Sequence, residues 1–221
     1  MSANAADAPV LQLTHAGARW LAADLTPLRD LFRRAHCVRL PALIAPDLLW
    51  RIQREVERGE FRAFDHDGIA TELRLQSGVA TGLLHVLVND PQLYRFVEQV
   101  TATSPVRSFL GRVYRRDANG HYDSWHSDLV QGRSLGMSVN LSAHRYDGGA
   151  FELRETETGR ILASIANVGP GDAILFRLAP TLEHQVTAVR GVHPKTAFAG
   201  WFLPDDSYRA GLRETGGIAP L

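Results

Sequence analysis

From Ser104-Pro105 to about residue 204 the chain is cut into short apolar runs by turn-forming residues, and this punctuation limits the folds open to it. Asn119-Gly120, Asp147-Gly148-Gly149, Gly169-Pro170-Gly171-Asp172 and Val192-His193-Pro194 combine residues that accept positive φ with residues that fix φ, so each stops a strand. Between them the residues predict eight strands, at 106–116, 121–128, 134–143, 149–156, 161–168, 173–177, 183–189 and 195–202. Strands this short, joined by turns, pair antiparallel, and eight of them suggest two packed sheets, a jelly roll. Another β-sandwich or a barrel would satisfy the same count.

The half before Ser104 reads differently, mixing helices with short strands. Pro27 fits the first turn of a helix through Leu28, Leu31 and Phe32, and a short strand follows at 37–40. Pro46 opens a second helix, with Leu48, Leu49, Ile52 and Val56 on one stripe and Gly59 as its stop. Asp90-Pro91 caps a third, which carries Leu93, Phe96, Val97 and Val100 at helical spacing. The expected fold is mainly β with helices (α+β), in one domain of 221 residues. It divides into N-terminal helices and flanking strands (1–105), a β core (106–204) and a tail (205–221). The first dozen residues read as loosely ordered, and residues 60–86 as loops able to form a lid.

Charge narrows the function classes. With 24 basic and 24 acidic residues the formal net charge is zero, which argues against a dedicated nucleic-acid binder. The single cysteine, Cys37, cannot close an internal disulfide and reads as a small core residue. No run approaches the length of a membrane span and the N-terminus lacks the pattern of a secretion signal, so a cytoplasmic protein is expected.

The chemistry concentrates in His121-Tyr122-Asp123-Ser124-Trp125-His126-Ser127-Asp128. Alternate side chains of a strand share a face, so His126 and Asp128 can converge on one point with Ser127 turned aside. An imidazole and a carboxylate make two-thirds of a facial triad for non-haem iron(II). His184, 56 residues after Asp128, is the best third ligand. Three ligands on one face leave three positions, two for a chelating 2-oxo acid such as 2-oxoglutarate and one for oxygen. The far carboxylate of 2-oxoglutarate then needs a buried cation. Lys195, which opens the last predicted strand and shares a face with Ala197, Ala199 and Trp201, is the candidate. A lone His-x-Asp is weak evidence, and its order with the later motifs says more.

That order resembles the iron(II)/2-oxoglutarate-dependent dioxygenase superfamily, nearest its prolyl-hydroxylase-like branch. Trp125-His126-Ser127-Asp128 resembles the strand bearing two ligands, and Leu135–Ser142 the apolar strand after it. Tyr146–Leu153 resembles the Gly-Gly strand start, Gly169–Phe176 the turn and strand before the distal histidine, and His184-Gln185-Val186 that histidine. Lys195 stands six residues before Trp201, as the cosubstrate-binding base does in the family. The match is strong over about 107–202 and weak in the N-terminal half, where Val38–Ile44 and the helix after it resemble the family's entry. It implies a double-stranded β-helix (cupin-like) core supported by N-terminal helices, with Fe(II) held by His126, Asp128 and His184. It also implies 2-oxoglutarate as cosubstrate and O2 as oxidant.

Two departures stand out: the gap from His184 to Lys195 is one residue longer than usual, and many relatives carry arginine there, which makes Arg190 a rival to Lys195. Tyr114 sits where relatives often place a tyrosine that helps bind 2-oxoglutarate, or it is a half-buried strand tyrosine. Tyr122 shares the expected face of the ligands and could line the pocket. Asn140 is an amide inside an apolar strand, bound either to structure or to a ligand carboxylate. His121, His144 and His193 read as turn histidines, and Arg133 follows the ligand strand closely enough to meet substrate.

The resemblance implies hydroxylation coupled to release of succinate and CO2. Relatives that halogenate lack the ligand carboxylate, so Asp128 favours hydroxylation. The substrate expected is an amino-acid side chain, free or in a peptide or protein, with a small natural product second. Other classes are a non-catalytic metal-binding β-sandwich module and a zinc hydrolase, the latter without an obvious glutamate base.

Overall fold

The protein is described from a computed structural model covering residues 8–66, 70–76, 78–117, 122–130, 132–166 and 169–205. The expected Asn119-Gly120 turn, His121 and the tail beyond residue 205 lie outside the described residues. In chain order the elements are β1 (Leu11–Thr14), β2 (Gly17–Trp20), α1 (Thr26–Ala35), β3 (Cys37–Leu40), α2 (Pro46–Glu57), β4 (Phe61–His66), β5 (Ala70–Leu75), α3 (Val79–Val88) and α4 (Pro91–Thr101). The core follows with β6 (Ser108–Arg116), β7 (Asp123–His126), β8 (Leu135–Asn140), β9 (Asp147–Gly148), β10 (Phe151–Glu155), β11 (Ile161–Ile165), β12 (Ala173–Arg177), β13 (Leu182–Val186), β14 (Val189–Arg190) and β15 (Lys195–Leu203).

The eight expected core strands are present as β6, β7, β8, β10, β11, β12, β13 and β15. They divide between a seven-stranded sheet in the order β3-β12-β8-β15-β6-β5-β4 and a four-stranded sheet in the order β11-β10-β13-β7. All the ladders in both sheets are antiparallel. The two packed sheets are the double-stranded β-helix that the sequence led us to expect.

The large sheet is covered on both faces, so its central strands do not alternate cleanly between apolar and polar. On one face Phe109, Phe198 and Phe202 form an aromatic cluster that joins the helices, through Ile52, Leu84, Phe96 and Val97, in the main core. The opposite face meets the small sheet, where Phe151, Leu153, Ile174, Phe176 and Leu182 form a second core. Because β15 pairs with β6 in register Lys195↔Arg116, Ala197↔Tyr114 and Ala199↔Arg112, the alternate residues of both strands face the small sheet together.

The helices start where the sequence marks them. Pro27 and Pro46 occupy first-turn positions, and the Asp90 carboxylate accepts the Gln92 N–H at 2.7 Å. Its second oxygen accepts the Ala18 N–H at 2.9 Å, tying the β1-β2 hairpin to the helical layer. Residues 11–20, most of them beyond the stretch expected to be loose, therefore form a docked hairpin with Leu11 and Leu13 fully buried. The expected lid loops at 60–86 are instead the β4-β5 hairpin, which extends the large sheet, and helix α3. Among the described residues no helix is long and apolar enough to cross a membrane.

Candidate active site

His126 ends β7, and His184 lies on the neighbouring β13 directly opposite it in the ladder. That pairing brings the two imidazoles together, with ring centroids 4.4 Å apart. Asp128 differs from expectation in one respect. The hydrogen-bonded strand stops at His126, so Asp128 follows in irregular chain rather than two places along a strand. It still converges: its two carboxylate oxygens lie 3.9 Å from His126 Nε2 and 3.5 Å from His184 Nε2. One donor atom from each of the three residues falls within a 4.8 Å group.

Two imidazoles and a carboxylate, all on one side, match the facial triad of non-haem iron(II). Octahedral coordination with bonds of about 2.1 Å sets neighbouring donors about 3 Å apart, so small side-chain movements close the set around a metal. The surroundings prepare it. His126 Nδ1 lies 2.7 Å from the Ser124 carbonyl, and a proton donated there leaves Nε2 as the free lone pair. The Trp201 indole N–H donates to Asp128 Oδ2 at 3.1 Å. Burial works to raise the Asp128 pKa. The His184 hydrogen bond, the two nearby imidazoles and the indole N–H outweigh it and hold the carboxyl at about 2, so it is ionised at neutral pH.

The triad lines a cleft of about 830 Å³, counting its open mouth. Ala199 and Gly200 on β15 leave room, while Phe151, Ile174 and Phe176 supply an apolar wall. Lys195 and Tyr114 line the same cleft, both deeply buried. The Lys195 ammonium, 2% exposed, donates to the Gly149 carbonyl at 2.7 Å. Burial, joined by the nearby Arg116 charge, pulls its pKa down to about 7 against the opposing pull of Asp123. A cation sealed this deep, with one carbonyl as its hydrogen-bond partner among the described residues, suits an anionic ligand group. Burial also raises the Tyr114 pKa, so its phenol stays neutral, and it hydrogen-bonds Ser138, another cleft residue.

The other candidates fall elsewhere. Arg190 is exposed on β14 and takes no part in lining the cleft. Tyr122 precedes β7 with 53% of its surface exposed, outside the lining, so sharing alternation with His126 did not turn it inward. Asn140 is buried but serves the backbone: its amide donates to the Gly169 carbonyl at 3.1 Å and its oxygen accepts the Ser142 N–H at 3.0 Å. Neither residue lines the cleft as a cosubstrate contact. His144 and His193 stack on each other at 4.5 Å, away from the metal ligands.

Arg116 and Trp201 were not singled out as site residues from the sequence, yet both line the cleft. Alternation was the available signal, because Arg116 lies two residues past Tyr114 and Trp201 six past Lys195. Arg133 is not in the lining itself, but its guanidinium carbon lies 3.7 Å from the ring centroid of Trp201, which is.

Comparison with known proteins agrees with this site. Residues 111–203 match the family profile described as the 2OG-Fe(II) oxygenase superfamily. No curated protein sequence matches the chain. Among solved structures, a prolyl-4-hydroxylase from Pseudomonas putida superposes with TM-score 0.64 at 16% identity, covering 82% of this chain and 99% of that one. A Trichoplax adhaerens prolyl hydroxylase, solved with a hypoxia-inducible-factor peptide fragment, gives TM-score 0.65 at 15% identity over 83% and 90% of the two chains. The α-ketoglutarate-dependent epimerase SnoN from nogalamycin biosynthesis gives 0.61 at 15% identity over 81% and 82%.

Proposed function

We propose that this chain, which belongs to the 2OG-Fe(II) oxygenase superfamily, hydroxylates an amino-acid side chain, free or within a peptide or protein, and releases succinate and CO2. The observation that carries the reading is the complete His126-Asp128-His184 triad in one cleft with a buried lysine. Iron(II) with 2-oxoglutarate and O2 supplies oxidative decarboxylation coupled to insertion of one oxygen atom into a C–H bond.

The chain's own residues hold, orient and shield. His126, Asp128 and His184 would bind iron(II), and Trp201 fixes the Asp128 carboxylate by its N–H. Lys195 would receive the far carboxylate of 2-oxoglutarate, with the Tyr114 hydroxyl beside it. Phe151, Ile174 and Phe176 give the cleft an apolar wall, with both phenylalanine rings against His184, and would keep water from the metal ligands. A retained ligand carboxylate, Asp128, favours hydroxylation over halogenation, for which relatives free that position.

For the substrate, the support is Arg133. Its guanidinium lies over the Trp201 ring and feels the Asp128 charge, yet it forms no ion pair among the described residues. A guanidinium over Trp201, a residue that does line the cleft, could take a carboxylate from a bound molecule, which would suit an amino acid. Two of the similar structures are prolyl hydroxylases, in keeping with that class. The similarity to a natural-product epimerase favours a small-molecule substrate as the second reading.

The test is a panel of free amino acids, their carboxamides and short peptides, scored for substrate-stimulated succinate and for a product one oxygen heavier. Stimulation by a carboxylate-bearing amino acid, lost in its amide and in Arg133→Gln, is the expected result. Stimulation confined to compounds lacking any amino-acid unit would overturn the substrate assignment while leaving the oxygenase chemistry.

A further inference from the structure

Arg116 ends β6 beside the cosubstrate end of the cleft, and nothing described so far uses it. Its side chain is 3% exposed, and its backbone pairs directly with that of Lys195. One nitrogen, Nη2, makes an ion pair with Asp123 and lies 4.0 Å from Glu72 Oε2. Glu72 is already engaged by Arg74 at 2.5 Å and by Arg112 at 2.9 Å. The other two nitrogens, Nε and Nη1, are buried with no hydrogen-bond partner. A buried guanidinium with two idle donors is costly unless something arrives to use them.

The surroundings indicate what arrives. Arg116, Lys195 and Tyr114 line one end of the cleft, with the Arg116 guanidinium carbon 4.9 Å from the Tyr114 ring centroid. Asp123 pairs with Arg116 and acts on Lys195 only through its charge, while Glu72 is already engaged by Arg74 and Arg112. With Nη2 held by Asp123, Nε and Nη1 each point a free N–H from a different edge of the guanidinium, and either can give a carboxylate oxygen a charge-assisted hydrogen bond.

We propose that Arg116 is a second cation for the far carboxylate of 2-oxoglutarate, donating to it from one of its free N–H groups together with Lys195. The inference rests on the cosubstrate reading above and adds a residue to it. Lys195 by itself would supply one point charge and no fixed geometry. Arg116 adds a second charged donor, held in place by its burial and by the pairing of its strand with that of Lys195. Selection for a dicarboxylic 2-oxo acid over a monocarboxylic one would then depend on both strands, β6 and β15.

The experiment measures equilibrium binding by calorimetry, without oxygen, to the full chain loaded with Mn(II). Two probes are compared: 2-oxoglutarate and 2-oxopentanoate, which keeps the metal-chelating end and lacks the far carboxylate. The wild-type protein should prefer 2-oxoglutarate. Arg116→Gln should weaken 2-oxoglutarate at least about tenfold while leaving 2-oxopentanoate within about twofold. Equal 2-oxoglutarate affinity in the two proteins, or equal weakening of both probes, overturns the proposal and leaves the cosubstrate reading standing. A wild-type protein that binds neither probe removes that reading and this one with it.

Should Arg116→Gln fail to fold, Asp123→Asn decides. It keeps the guanidinium and removes only its structural partner, so 2-oxoglutarate should bind at least as tightly as in wild type. A loss of about tenfold or more in Asp123→Asn would mean that Arg116 serves only to hold Asp123, and would overturn the proposal.

Discussion

At the scale of single residues, the triad is prepared by groups that never touch a metal. The Ser124 carbonyl selects the histidine tautomer, and the Trp201 N–H holds one carboxylate oxygen. Outer contacts of this kind typically contribute 10- to 100-fold in metal affinity, so Trp201→Phe should weaken Mn(II) binding by about that factor while the protein stays folded. Asp128→Ala, which removes a ligand, should abolish both high-affinity metal binding and 2-oxoglutarate turnover. Lys195 adds a pH dependence whose sign follows from its depressed pKa of about 7. Below that value the ammonium is charged and ready for a carboxylate. Above it, binding must first recruit a proton, so the Kd for 2-oxoglutarate should rise by up to about tenfold per pH unit. Titrating affinity between pH 6 and 9 checks this, and Lys195→Met should flatten the profile. An unchanged slope in Lys195→Met would mean that another group titrates.

At the scale of elements, what was legible in the sequence was what local chemistry dictates. The eight core strands are bounded by turn residues that act without tertiary help. The three proline-started helices announce themselves in the same way. The β4-β5 hairpin was not legible, because Phe61–His66 forms the sheet edge and its place comes from β5 pairing with β6, a contact far along the chain. Helix α3 was hidden for a different reason: its sequence, VATGLLHVLV, is apolar around most of its circumference and includes Gly82, so no polar stripe reveals the helical period. Asn140 shows the limit for site residues. A polar side chain in the apolar run Leu135–Asn140 could answer either a ligand or the fold, and only the position of Gly169, in the turn before β12, decides. Asn140→Ala should therefore cost about 1–3 kcal/mol in urea unfolding, by orphaning the Gly169 carbonyl and the Ser142 N–H. Its affinity for 2-oxoglutarate per folded molecule should not change. A selective loss of that affinity would return Asn140 to the cosubstrate site.

At the scale of the molecule, the metal ligands come from chain segments 56 residues apart, and the two buried cations of the cleft, Arg116 and Lys195, from β6 and β15 of the opposite sheet. Metal and cosubstrate together would span the gap between the two sheets at the end where the packed core of Phe151, Leu153 and Leu182 gives way to the cleft. Without them, that end contains convergent donors and buried cations instead of apolar contacts. Their arrival should therefore stabilise the fold as a whole. A ligand present at 100 times its Kd contributes about 2.7 kcal/mol. In a chain of this length each kcal/mol moves Tm by about 2–4 °C, so saturating Mn(II) should raise Tm by about 5–10 °C. 2-Oxoglutarate should add a further rise only when the metal is present, because half of its grip is the chelate. Circular dichroism melts with metal, cosubstrate, both and neither test this. The Asp128→Ala protein should show none of these increases. An equal Mn(II)-dependent rise in that variant would place the stabilising metal somewhere other than between His126 and His184.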